Sequence, residues 1–276
     1  MTDKNKIAIQ GIEGSFHHAV AMSYFDSGYS VDCCNSFDAL VFSILNNDSS
    51  HGVMAIENSI AGSIISNYAL IDQNNLNIVG ECYHQIQHSL LALPNQSIDE
   101  IHEVHSHPMA LLQCKEFFSN YPNIKLVESD DTANAAKEIF TNQIHKRAAI
   151  ASKSAAHLYS LNILKNSIQT INNNVTRFVI IQKKSPLIKL DYNKAALKFI
   201  LDHKRGSLAA VLNVMSDCKL NLTKIQSLPI IEIPGKYSFF VDVTFDSESF
   251  FEKAYSILEI MTLELKVFGK YNNEKK

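Results

Sequence analysis

Arginine is scarce in this chain: of 25 Lys and Arg residues only three are Arg, at Arg147, Arg177 and Arg205. With a formal net charge of −3, no basic stripe is available to displace counterions, which argues against nucleic acid as a partner. The opening stretch MTDKNKIAIQG lacks the apolar core of a signal peptide, and no apolar run approaches the ~18 residues of a membrane span. A membrane is therefore not expected. The five cysteines form no CxxC pair, their count is odd, and Cys33 and Cys34 are adjacent, a pattern that fits reduced thiols in a cytoplasmic protein.

Further absences narrow the chemistry. No GxGxxG or P-loop offers a cradle for a dinucleotide or nucleoside triphosphate, and no GxSxG forms a nucleophile elbow. Eleven histidines invite a metal, above all IHEVHSHP with His102, His105 and His107. On a strand, His105 and His107 would share one face and His102 the other. No HExxH and no carboxylate cluster completes a ligand set, so these read as polar and capping histidines. Neither metal nor cofactor is expected.

What is present is a soluble globular composition, 46% hydrophobic and 19% charged over 276 residues, comfortable for two domains. From residue 6 to about 183, strand-like and helix-like stretches alternate. KIAIQG precedes SFHHAVAMSYF, where Ser15 suits a cap and Phe16, Val20 and Tyr24 keep helical spacing. SFDALVFSILNN repeats the design, with Ser36 as cap and Phe37, Leu40, Val41, Ile44 and Leu45 inward. HGVMAI, IISNYALID, EVHSH, PMALLQCKEFFSN, IKLVES, DTANAAKEIF, RAAIAS, SAAHLYSLNIL and RFVIIQKK continue the alternation. The expectation is α/β lobes with mostly parallel sheets. KSPLIKLDYNK (184–194) reads as a linker. After it AALKFILD, a helix GSLAAVLNVMSDC capped by Ser207, NLTKIQSLPII, KYSFFVDVTF, a helix SFFEKAYSILEIMT and ELKVFGKY predict a β-α-β-β-α-β, ferredoxin-like sandwich; EIPG joins the central strands.

Four polar clusters fall at strand-to-helix junctions: GIEGS, IENSIAGS, HSHP with Gln113 following, and NVTRF. Each alone reads as an ordinary turn or cap. Together they place hydroxyls, amides and one scarce guanidinium where an α/β sheet binds small anions.

These same segments carry a resemblance. AIQGIEGSFHHAVAMSYF, GVMAIENSIAGSI, VHSHPMALLQC and NNNVTRFVII are similar, in order, to the signature segments of prephenate dehydratases, and the likeness runs from about residue 6 to 272. It implies two lobes of the type-2 periplasmic-binding-protein kind, at 1–80 plus 160–183 and at 81–159, within a catalytic domain 1–183. An ACT regulatory domain would follow at 195–276, and with no chorismate mutase helices before residue 6 the chain resembles a monofunctional version. The implied reaction converts prephenate to phenylpyruvate, water and CO2. The resemblance makes Thr176, Arg177 and Ser106 catalytic: Thr176 as proton donor or leaving-group partner, Arg177 as carboxylate clamp or as the residue that fixes Thr176. It makes Asn58, Ser59, Gln113, Glu57 and His107 substrate-binding. For L-phenylalanine as effector it implies Gly206, Ser207, Leu208 and Ala209, with Gln226, Ser227, Leu228 and Pro229. Here Gln226 and Leu228 depart from the family's acidic residue and arginine. A homodimer or homotetramer through the ACT domains is implied. Arogenate dehydratase, or a sensor of aromatic acids without turnover, are the alternative readings.

Overall fold

The computed structural model describes residues 5–184, 191–230, 233 and 235–274. The expected linker and the EIPG connection lie partly outside the described residues. In chain order the first elements are β1 (Lys6–Gln10), α1 (Phe16–Tyr24), β2 (Ser30–Cys34), α2 (Phe37–Leu45), β3 (His51–Asn58), β4 (Gly62–Ser63), α3 (Ile65–Gln73) and β5 (Leu76–Gln85). There follow β6 (Ser89–Ala92), β7 (Glu103–Ser106), α4 (Pro108–Gln113), α5 (Lys115–Phe118), β8 (Lys125–Glu128), α6 (Thr132–Thr141), β9 (Arg147–Ala151), α7 (Lys153–Leu158), β10 (Asn162–Lys165) and β11 (Val175–Lys183). The last group is β12 (Lys194–Ile200), α8 (Ser207–Asp217), β13 (Asn221–Pro229), β14 (Tyr237–Thr244), α9 (Glu248–Met261) and β15 (Glu264–Tyr271).

Local chemistry explains most of the helix starts. Ser15 Oγ accepts from the His18 N–H at 3.2 Å, and Ser36 Oγ from the Ala39 N–H at 3.1 Å, as their spacing predicts. Along α2, Leu40, Val41 and Ile44 are buried, while Phe37 and Leu45 sit half-buried at its margins. Tyr24, expected inward, is exposed. Each four-residue step advances 400° around a helix, so Phe16, Val20 and Tyr24 drift off one face; Val20 and Ala21 are the buried pair. Two long helices of the sequence reading are shorter. PMALLQCKEFFSN breaks at Cys114 into α4 and α5. SAAHLYSLNIL stops at Leu158 because Ser160 turns left-handed at φ 49°, and the chain re-emerges as β10.

The sheets are mixed where mostly parallel ones were expected. One has the order β2-β1-β3-β11-β5, with β4 beside β3; β1 runs parallel to β2 and β3. Another has the order β10-β6-β9-β7-β8, with β7 parallel to β8 and β9 but β6 antiparallel to both β9 and β10. β6 follows β5 of the other sheet with no intervening helix. Ile163 of β10 pairs with Leu91, which places residues expected in the first lobe in the second sheet.

Residues 1–62 with 83–178 make one compact unit, and 63–82 with 179–276 make a second. In the second, an antiparallel sheet β13-β14-β12-β15 carries the βαββαβ order, and Phe199, Val211, Met215, Val241, Phe251 and Leu258 fill its core with α8 and α9. The segment 63–82 packs against this sheet so closely that a Cβ on Gly269 would lie 1.8 Å from the Ile78 carbonyl oxygen. Ion pairs hold it there. Lys194 Nζ lies 2.9 Å from both Glu81 carboxylate oxygens with both side chains buried, and Asp72 takes Lys198 at 2.7 Å and Lys266 at 2.6 Å. Lys194, read from sequence as the last linker residue, is the buried first residue of β12.

Candidate active site

The site is built outward from Asn58, the last residue of β3. Its Oδ1 accepts the backbone N–H groups of Ile60 at 2.9 Å and Ala61 at 2.8 Å, closing the turn that follows the strand. Two such donors can only be met by oxygen, so the amide has one orientation. Its Nδ2 then donates to Asn174 Oδ1 at 2.7 Å and to Thr176 Oγ1 at 2.9 Å. Ser59 completes the stitching: its N–H donates to the Val175 carbonyl, its Oγ accepts from the Val175 N–H at 2.9 Å, and it donates to the Asn173 carbonyl at 3.2 Å.

The polarity continues along the chain of amides. Asn174 is fully buried; with its Oδ1 occupied, its Nδ2 donates to Gln113 Oε1 at 2.9 Å. His88 Nε2 lies 3.0 Å from the same oxygen and must therefore carry a proton. Burial lowers the His88 pKa, partly opposed by the bond to Gln113, so the imidazole is neutral. His84 is lowered by burial too, and His17, against the Phe178 ring, is pushed down to about 4. Two consequences follow for chemistry. The Thr176 oxygen is already an acceptor, so its own proton is available to a ligand. The Gln113 amino group, opposite its doubly occupied oxygen, is likewise a donor.

The structure thus brings Asn58, Ser59, Gln113 and Thr176 into one network. Ser106 is fully buried and donates to the Ile150 carbonyl at 2.6 Å, fastening β7 to β9. His107, not Ser106, caps α4: its Nδ1 accepts the Met109 N–H at 3.2 Å and the ring is exposed. Because Asn58 meets Thr176, strand alternation turns their neighbours Glu57 and Arg177 to the opposite face, where Arg177 is 4% exposed. Asn174 was read only as part of the NVTRF cluster, with no role of its own, and His88 escaped the sequence reading. Asn174 stands two residues before Thr176, a same-face spacing that could have revealed it; His88, in QIQHSLLAL, carried no local signal. Among the described residues no three His, Cys, Asp or Glu form a metal cluster, and His105 binds Glu103 at 3.1 Å.

A second polar place is the start of α8. Gly206, at φ 81°, occupies the cap position expected of Ser207, which is instead the first helical residue, and no side chain caps the helix. Ser207 and Leu208 line a pocket there with Leu201, Lys204, Tyr237 and Phe239. Gln226, Ser227, Leu228 and Pro229 lie on β13, the last three paired with Phe239, Ser238 and Tyr237; Ala209 is exposed on α8.

Comparison with known proteins gives this α/β architecture a class and then a family. The fold, with its mixed sheets, superposes on a prephenate dehydratase from Arthrobacter aurescens in complex with L-Phe with a TM-score of 0.87, at 22% identity, covering 97% of this chain and 90% of that one. The bifunctional chorismate mutase/prephenate dehydratase of Buchnera aphidicola (subsp. Acyrthosiphon pisum) is 30% identical over 270 residues, covering 96% of this chain and 70% of that protein. An Arabidopsis thaliana arogenate dehydratase/prephenate dehydratase is 33% identical over 278 residues, covering 96% of this chain and 72% of that protein. The prephenate dehydratase family profile matches residues 7–186. The chain belongs to the prephenate dehydratase family. It is an enzyme of aromatic amino acid biosynthesis, a hydro-lyase whose substrate is prephenate.

Proposed function

We propose that the network of Asn58, Asn174, Thr176 and Gln113 is the centre at which prephenate becomes phenylpyruvate. The bond from the ring to its carboxylate breaks and CO2 leaves. The electron pair moves through the ring, the bond to the ring hydroxyl breaks with its pair on oxygen, and that oxygen takes a proton from solvent to become water. Aromatisation drives the reaction, so the protein has to orient a dianion and stabilise the departing hydroxide. The observation that carries this reading is the 2.9 Å bond from Asn58 Nδ2 to Thr176 Oγ1. It polarises the hydroxyl and aims its proton at the leaving oxygen. A threonine hydroxyl is about as weak an acid as water, so full transfer of its proton to hydroxide gains little, and Thr176 acts as a hydrogen-bond donor to the leaving group. The Gln113 amino group serves a substrate carboxylate. Arg177, on the far face, fixes the strand that presents Thr176.

In the same reading, 1–183 is a two-lobed catalytic domain of the periplasmic-binding-protein type, 184–193 a linker and 194–276 an ACT domain, with Lys194 opening its first strand. The uncapped start of α8 suits the carboxylate of phenylalanine as effector, and the L-Phe complex of the Arthrobacter relative supports that choice. Assembly through ACT domains would give a homodimer or homotetramer. A cytoplasmic setting agrees with cysteines free of disulfides. Arogenate is the second substrate to consider, favoured by the Arabidopsis relative, whose name carries both activities. Phenylpyruvate formed from prephenate, against phenylalanine formed from arogenate, decides between them. Activity unchanged after dialysis against a chelator is expected; loss that Zn2+ or Mg2+ restores would return the His102, His105 and His107 group to consideration.

A further inference from the structure

We propose that His88 is a positioning residue for this reaction: it locks the Gln113 carboxamide so that its amino group faces the substrate. The inference rests on the function proposed above. His88 is 3% exposed and held at both ends of its backbone, its N–H donating to Gln169 Oε1 at 2.9 Å and its carbonyl accepting from the Ile168 N–H at 2.9 Å. The ring is thus placed before any substrate arrives. Its Nε2 meets Gln113 Oε1, the oxygen that also accepts from Asn174.

The protonation state follows from the amide polarity that begins at Asn58. Gln113 must present oxygen to Asn174, and hence to His88. His88 is therefore the Nε2–H tautomer, with a bare lone pair on Nδ1. Among the described residues that buried Nδ1 has no partner, and the Phe16 ring packs edge-on at 5.8 Å. A structural histidine would ordinarily use both nitrogens. Here one polar atom is left unsatisfied so that the other can face Gln113. Without His88, the Gln113 side-chain oxygen keeps only the Asn174 bond among the described residues, and the side chain gains freedom that weakens the hold on a substrate carboxylate.

The test combines kinetics with spectroscopy on the full chain. His88→Leu should lower kcat/KM for prephenate about three- to tenfold, the worth of one hydrogen bond, chiefly through KM and with the melting temperature maintained. His88→Gln, whose amide can donate to the same oxygen, should recover most of the loss. In a Gln113→Ala background, His88→Leu should cost nothing further, because its effect passes through Gln113. Wild-type kinetics in His88→Leu, or an undiminished loss in the Gln113→Ala background, would overturn the proposal. The 15N shifts of the His88 ring should report the neutral Nε2–H form at neutral pH; an Nδ1–H form or an imidazolium would overturn it independently of turnover. A wild-type chain inactive on prephenate would instead sink the assigned reaction, leaving the tautomer to stand or fall on its own.

Discussion

Asn58 Nδ2 donates to Thr176 Oγ1 across 118 residues of sequence, a bond in which the threonine oxygen accepts and keeps its own proton for another partner. Thr176→Ala should therefore lower turnover by about 100- to 1,000-fold, the usual cost of removing one preorganised donor from a developing charge. KM should change little. Steady-state formation of phenylpyruvate, together with a melting curve to verify folding, checks it; near wild-type turnover in a folded variant would remove Thr176 from the mechanism.

Asn58→Asp offers a sharper contrast. The carboxylate can still accept the Ile60 and Ala61 N–H groups, so the turn survives. It cannot donate, and the Thr176 proton would turn toward it and away from the substrate. A loss in kcat of at least about 100-fold is expected, with the added negative charge also weakening binding of a dianion. If Asn58→Asp turned over normally, the polarity assigned to the network would be wrong.

Lys194 and Glu81 form a fully buried pair, so removing one partner takes away the charge that offsets the other. Lys194→Met should destabilise the chain by about 3–5 kcal/mol, whereas Lys194→Met combined with Glu81→Leu should recover much of that loss. Urea unfolding of the three proteins measures both effects. Equal stability of the single and double variants would contradict the reading.

Stability should also fall in mild acid. Burial holds His17 near pKa 4 in the folded chain against an ordinary 6.5, so the unfolded chain binds the extra proton between those values. The contribution is complete above pH 6.5 and is lost as the pH falls toward 4, about 3 kcal/mol in all. His84 and His88 shift in the same direction and add to the slope. Unfolding free energies of wild type and His17→Leu from pH 7 to 4 should diverge in slope; parallel curves would discount His17.

Phenylalanine at millimolar concentration should bind and slow turnover. The α8 start retains open backbone donors, but Gln226 and Leu228 lack the charges of the residues they replace in the family pattern. Coupling of ~1–3 kcal/mol corresponds to a ~5- to 150-fold effect, and the lower end is expected here. Calorimetry alongside an activity titration is the measurement. Absence of both heat and inhibition would mean that this domain has lost its effector.

Much of the architecture was legible in the order of residues, because local rules act over a few positions. Ser15 and Ser36 cap the helices that their spacing announced, and residues 194–271 supply the β-α-β-β-α-β order read from their periodicity. The motifs around Asn58, Gln113 and Thr176 were visible as well. What the tertiary structure alone decided depends on pairings across long stretches of chain. Hydropathy cannot report that Lys194 closes on Glu81 or that Gly269 lies under Ile78. Strand direction at β6 was not legible, since it depends on which sheet a strand joins. In the site, sequence supplied the candidates but not their polarity: the Asn58 amide is oriented by two backbone N–H groups, and from it follow the donor roles of Asn174, Gln113 and Thr176 and the tautomer of His88. Hydrogen-bond direction is a property of three-dimensional neighbours, and no single residue type encodes it.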